Sequence, residues 1–431
     1  MAESSHEPGR TRQREIFLGG LAGEVPDVPT DYRRLKERAR SVMSTEGFAY
    51  AEGGAGLERT MAANRDAFHR WRIVPRMLRG PTDRDLGVTL FGSSYASPFF
   101  LSPIGVLEMA HGDADLAAAR AAASQEIPLL VSSQASYSME ECAEAAGSES
   151  AGARRLWFQL YWNRSREIVE SFVRRAEAAG YAAIVLTLDT SSMAWRPRDL
   201  DLGHLPFLRG KGIAQYVSDP VFRRQMEELS LDDSDDGPPL TLDTIFSLVE
   251  LNRRFPGSFW ENLRTSRPRK AVQHFISTFS HAFLSWDDVT FLRELTDLPL
   301  ILKGILHPDD AERGVEAGVD GILVSNHGGR QIDGGVGALE ALPGVVGRVG
   351  GRVPVLMDSG IRTGSDAFKA LALGASAVGI GRPYMYGLAL AGERGVREVV
   401  RNLVADLDLT MTIAGTASIS EIRPELLEAA S

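Results

Sequence analysis

From Ser97 onward the chain repeats one unit: a short apolar run rich in β-branched residues, a turn, and an amphipathic helical pattern ending near glycine. Eight such runs follow one another: FFLSPI from Phe99, IPLLVSS from Ile127, LWFQLY from Leu156, YAAIVLTLD from Tyr181, LPLILKG from Leu298, GILVSNHG from Gly321, VPVLMDSG from Val353 and ASAVGIGRP from Ala375. Between them, SREIVESFVRRAEAAG sets Ile168, Val169, Phe172, Val173 and Ala176 at helical spacing, with Gly180 where a C-terminal cap belongs. DDAERGVEAG from Asp309 and SDAFKALALG from Ser365 repeat the pattern, each with Asp or Ser near its start. Alternation of this kind makes a parallel sheet, and runs apolar on both faces favour an α/β (β/α)8 TIM barrel over an open doubly wound sheet, which stands as the alternative.

In such a barrel chemistry gathers at the C-terminal ends of the strands. All eight ends are polar here: Ser102-Pro103, Ser132-Ser133-Gln134, Gln159 with Tyr161, Thr187 with Asp189, Lys303, Ser325 with His327, Asp358 with Ser359, and Arg382. One or two such groups would serve as strand caps, whereas a full set points to a shared ligand. Outside the repeat, residues 1–15 read as a disordered tail, residues 16–96 as an N-terminal helical extension, and 97–431 as the barrel. An insertion at about 200–281, between the fourth and fifth strands, carries the acidic run LDDSDDGPP and the basic run RTSRPRK. Because it follows the C-terminal end of a strand, it must emerge on the catalytic face as a lid.

A hydrophobic fraction of 44% with 24% charged residues allows a large buried core, and a net charge of −10 argues against nucleic acid or an anionic membrane as partner. The single cysteine, Cys142, permits neither an intramolecular disulfide nor a cysteine-based zinc site, so a cytoplasmic setting is expected. The polar N-terminus lacks the apolar stretch of a signal peptide, and no segment reaches the roughly 18 apolar residues that span a bilayer.

The stretch SNHGGRQIDGG, Ser325 to Gly335, puts a histidine and an arginine among four glycines directly after an apolar run. Glycines admit positive φ and close approach of a ligand, so the run suggests a turn built around a bound molecule; alone, it would more often be a surface loop. Together with LILKG, FQLYW, LTLDT and DSGIRTG it makes the chain, from about Thr30 to its end, resemble the FMN-dependent α-hydroxy-acid oxidases and dehydrogenases. SPIGV, WRPRDL followed by LPFLRG, YVSDPVF and GASAVGIGRPY are similar to the lactate 2-monooxygenase branch, while the second half of the insertion diverges.

The resemblance implies FMN as cofactor and a role for each matching residue. His327 would be the general base and Asp189 the carboxylate that orients it. Arg330, Arg196, Tyr50 and Tyr161 would bind the substrate, with Tyr161 touching its oxygen. Lys303 would face the flavin N1 and O2, and Pro103, Ile104, Gly105, Ser132, Gln159, Thr187 and Ser325 would hold the ring. Asp358, Gly360, Arg362, Gly381 and Arg382 would take the ribityl and phosphate end. Gly105, where many members carry alanine, would leave extra room near N5. Gln134 and Ser359 depart from the plant-type pattern and leave the substrate side chain open.

The resemblance further implies oxidation of an (S)-2-hydroxy acid such as L-lactate with molecular oxygen as acceptor, in a homo-oligomer, tetramer or octamer. A lid that retains the products favours oxidative decarboxylation, as in a monooxygenase. An oxidase that releases keto acid and hydrogen peroxide is the alternative, and a flavin-dependent tailoring enzyme or a noncatalytic FMN-binding protein a further one.

Overall fold

The structure, a computed structural model, describes residues 7–80, 84–147, 155–229, 241–279 and 284–430. Each apolar run contains one strand: β1 Phe99–Leu101, β2 Leu129–Ser132, β3 Leu156–Tyr161, β4 Ala183–Thr187, β5 Leu300–Ile305, β6 Gly321–Val324, β7 Val355–Met357 and β8 Ala377–Ile380. They pair in parallel and in chain order, with β8 returning to β1, so the sheet closes into the expected barrel.

Both faces of the strands are buried because successive side chains go to different cores. Phe100, Leu130, Trp157, Val185, Ile301, Leu323 and Leu356 fill the barrel interior, while Phe99, Leu101, Leu129, Val131 and Phe158 pack under the helices. A hairpin, Val88–Leu90 with Ser93–Tyr95, stoppers the end away from the site, where Tyr95 Oη accepts from the Trp157 indole at 3.2 Å. The helices Arg166–Ala178, Pro308–Glu316 and Gly364–Ala372 stand where the periodicity placed them. Their caps differ: His307 accepts from Asp309 N, and Thr363 forms a capping box with Asp366, because the capping residue lies just outside the apolar periodicity.

Two expectations need correction. Pro8–Leu21 is a helix, so residues 8–15 are not a disordered tail; residues 1–6 lie outside the described set. Its contacts come from the far end of the chain: Gly9 N donates to Asp408, and Arg12 bonds Asn402 and Glu398 on the broken helix Arg382–Ala414. No local pattern could announce that. The extension is helical over Tyr32–Val42, Thr45–Glu52 and Arg59–His69, but it ends in the hairpin and in Trp71–Ile73, which pairs with Leu427–Ala429. In the lid, five helices from Ala214–Val217 to Arg267–Thr278 are described, the basic run RTSRPRK among them; the acidic run lies outside the described residues.

Arg84 and Asp408, both almost wholly buried, form a two-point ion pair beneath the first helix. Removing one partner strands the other charge, so Arg84→Met is expected to destabilise the protein by about 3–5 kcal/mol in a denaturant titration.

Candidate active site

The turn after β6 is held in a conformation that its glycines permit. His327, Gly328 and Gly329 all have left-handed φ, +57°, +66° and +78°; for histidine that is strained. Hydroxyls and an amide hold it there. Ser325 Oγ accepts from His327 N at 3.1 Å, Ser359 Oγ from Gly328 N at 3.0 Å, and Asn326 Oδ1 from Gly329 N at 3.1 Å. Further along, the Asp333 carboxylate accepts from Leu57 N and Arg59 N, both at 2.8 Å, while the Asn326 and Asn64 amides pair reciprocally. These bonds dock the turn on the N-terminal segment that carries Tyr50.

His327 Nδ1 lies 2.8 Å from Asp189 Oδ1, and the Thr190 hydroxyl donates to the same oxygen at 3.0 Å. Gly304 makes this approach possible, since a Cβ there would fall 2.8 Å from Asp189 Cβ. Burial pushes the Asp189 carboxyl up, but Lys303, 3.6 Å away, and His327 more than offset it and hold the group well below the usual carboxylate range. An ionised Asp189 keeps the proton on Nδ1 and leaves Nε2 as the basic nitrogen, 3.5 Å from Tyr161 Oη. Burial, with Lys303 nearby, lowers the His327 pKa below its ordinary value of 6.5 although Asp189 pulls it back up. Burial raises the Tyr161 phenol, which stays protonated.

Arg330 Nη1 donates to the carbonyls of Tyr50 at 2.5 Å and Gly53 at 2.7 Å, and the guanidinium stacks over the Tyr50 ring at 5.0 Å. Its Nε and Nη2 donate to nothing among the described residues and border the cavity. Burial and neighbouring Arg196 pull its pKa down to about 10, so it is charged at neutral pH. Arg196 spans the turn, donating to Arg330 O at 3.1 Å and Gln331 Oε1 at 2.7 Å.

These groups share a cavity of about 290 Å³ with Pro103, Ile104, Gly105, Lys303, Asp358, Gly360, Arg362, Gly381 and Arg382. Ser132, Gln159, Thr187 and Ser325 form the layer behind its wall: Ser132 Oγ donates to Gln159 Oε1 at 3.0 Å, Gln159 Nε2 to Thr187 at 2.9 Å, and Lys303 Nζ to Ser325 at 3.2 Å. The residues fit FMN. Lys303 is 2% exposed, Ser102 Oγ is buried without a partner, and a Cβ built on Gly381 meets nothing within 4 Å, which leaves space for a ligand against the backbone. Arg362 lines that end and suits a phosphate, whereas the Arg382 guanidinium, expected there too, donates to the carbonyls of Ala51 and Gly328 at 3.0 Å and of Glu52 and Gly53 at 3.3 Å, because the N-terminal segment packs over it.

The expected room at Gly105 is a correction. A Cβ there would sit 2.9 Å from Gln134 Cβ and 3.1 Å from its Oε1, so the space belongs to Gln134. Ser359, with φ +75°, fills a conformation glycine favours and gains two backbone bonds to the catalytic turn. Thr190, Asn64, Phe279 and His204 were missed. Only Thr190, beside Asp189 in LTLDT, carried a local signal.

His327 can accept a proton only while neutral, so a base role for it predicts an acid limb of kcat/KM below pH 6.5, with activity lost only as pH falls through the lowered pKa. A pH profile of anaerobic flavin reduction checks this.

A family model described as FMN-dependent dehydrogenase matches residues 39–429. An FMN-dependent α-hydroxy acid dehydrogenase of Penicillium citrinum is 39% identical over 95% of this chain and 93% of its own length. An L-lactate oxidase of Lysinibacillus sphaericus is 38% identical, covering 96% of each chain. A crystal structure of mandelate oxidase superposes with a TM-score of 0.73 at 34% identity, over 93% of this chain and 98% of that one.

Proposed function

From the premise that the chain belongs to the FMN-dependent dehydrogenase family and is an FMN-dependent α-hydroxy-acid oxidoreductase, we propose that it oxidises an (S)-2-hydroxy acid with oxygen as acceptor and decarboxylates the retained product. The observation that carries the reading is the His327–Asp189 pair set over one cavity with Arg330 and Tyr161.

Arg330, through its free Nε and Nη2, pairs with the substrate carboxylate, and Tyr50 and Arg196 complete that end. Tyr161 and His327 meet the hydroxyl, and His327 Nε2 takes its proton as the α-hydrogen leaves the carbon. The imidazolium so formed is stabilised by Asp189. FMN, when bound, supplies the hydride acceptor and, on reoxidation, the electrons that reduce oxygen to hydrogen peroxide. Lys303 and Arg362 would hold it.

The lid supports retention. Phe279 packs edge-on against Tyr161 at 5.8 Å between ring centroids, stacks on Phe275 at 4.9 Å, and with Phe207, Leu205 and Pro206 gives the cavity an apolar wall on the lid side. Peroxide and keto acid kept together react: peroxide oxygen bonds to the keto carbon, the bond to the carboxylate carbon and the O–O bond break, and a carboxylate one carbon shorter, carbon dioxide and water result. In a single turnover with L-lactate and oxygen the expected product is acetate, and Phe279→Ala is expected to shift it toward pyruvate and free peroxide. Names such as L-lactate oxidase among the relatives favour the second reading, release of keto acid and peroxide; pyruvate with stoichiometric peroxide from the wild-type enzyme would establish it instead.

A further inference from the structure

We propose that the substrate side chain ends in a neutral hydrogen-bonding group, recognised by Gln134 from the barrel and His204 from the lid. This deepens the 2-hydroxy-acid reading above and rests on it.

Gln134 is 6% exposed and lines the cavity, yet its carboxamide hydrogen-bonds to no described residue. Its backbone is fixed, with Gln134 N donating to Ser132 Oγ at 3.0 Å and Gln134 O accepting from Val106 N at 2.8 Å. The amide rests on the bare Cα of Gly105 and would be displaced by any side chain there. His204 lines the same cavity and is 7% exposed; its Nε2 is buried without a partner, and its backbone N donates to Asp199 O at 3.0 Å.

His204 Nε2 is buried without a partner and the Gln134 carboxamide lines the cavity without one, where a site lined for a methyl or alkyl side chain would carry apolar residues. A substrate hydroxyl or carboxamide in this cavity would give either group a partner. Burial, Arg209 and Lys211 lower the His204 pKa, so the ring is neutral and offers one donor and one acceptor, while the Gln134 amide offers two N–H donors and an acceptor oxygen. Glu46 and Asp199 also face His204, and the Asp199 carboxylate lies on the cavity wall; Lys211 is paired with Glu250.

The test is anaerobic flavin reduction of the FMN-loaded enzyme by pairs of near-equal shape: L-glycerate against L-2-hydroxybutanoate, and L-2-hydroxysuccinamate against L-2-hydroxy-4-methylpentanoate, with L-malate added. In each pair the polar member is expected to have the higher reduction rate constant over Kd by at least about tenfold, because its apolar twin leaves the site unpaired. Gln134→Met, close in shape and apolar, is expected to erase or invert that ratio, and His204→Phe to reduce it. Equal or faster reaction of the apolar members, a ratio untouched by Gln134→Met, or a preference for L-malate would overturn the proposal while leaving 2-hydroxy-acid oxidation standing. Failure of every acid to reduce the flavin would overturn both.

Discussion

His327→Gln is expected to keep FMN and lower the rate constant for flavin reduction about 10²–10⁴-fold, the contribution of a positioned general base. Glutamine can still hydrogen-bond toward Asp189 and Tyr161, but it cannot hold the hydroxyl proton. The left-handed backbone at this position, φ +57°, already strains histidine and is held by the turn's hydrogen bonds, so a thermal melt should move little. Stopped-flow reduction with a bound 2-hydroxy acid reads the effect directly. An unchanged rate would move the base elsewhere in the cavity.

Arg330→Met is expected to raise substrate Kd and lower the reduction rate constant together, by about 2–5 kcal/mol in total, because a buried charge partner is removed. Two links are lost at once. The carboxylate loses its fork, and the carbonyls of Tyr50 and Gly53 lose the donor that seats the N-terminal segment on the turn. Arg330→Lys is not expected to rescue, since a point charge cannot serve both the two carbonyls and a carboxylate. A change confined to FMN retention would place Arg330 with the cofactor instead.

The barrel was legible because each strand is a run apolar on both faces, and a closed sheet with two cores needs that pattern eight times over. The chemical groups were legible where they share a strand end with a glycine, as His327 and Lys303 do. Longer-range contributions were not. The helix Pro8–Leu21 depends on Asp408 and Glu398, almost four hundred residues away, and its own sequence is polar enough to read as a tail. Gly105 read as empty space because the residue that occupies it, Gln134, comes from the next strand. Asn64 meets Asn326 across the gap between extension and barrel, and nothing local marks an asparagine for that pairing. Phe279 and His204 belong to the lid, whose course over the barrel mouth follows from packing among its aromatic residues rather than from a motif.

The central claim is that His327, oriented by Asp189 beside Arg330, takes the hydroxyl proton of an (S)-2-hydroxy acid while bound FMN accepts the hydride from its α-carbon. Rapid anaerobic mixing of the FMN-loaded enzyme with matched (S)- and (R)-2-hydroxy acids tests it most directly. The expected result is bleaching of the flavin band by the (S) acid alone, slowed when the α-hydrogen is deuterium and nearly abolished in His327→Gln. Bleaching by neither enantiomer, or bleaching that His327→Gln leaves intact, would contradict it.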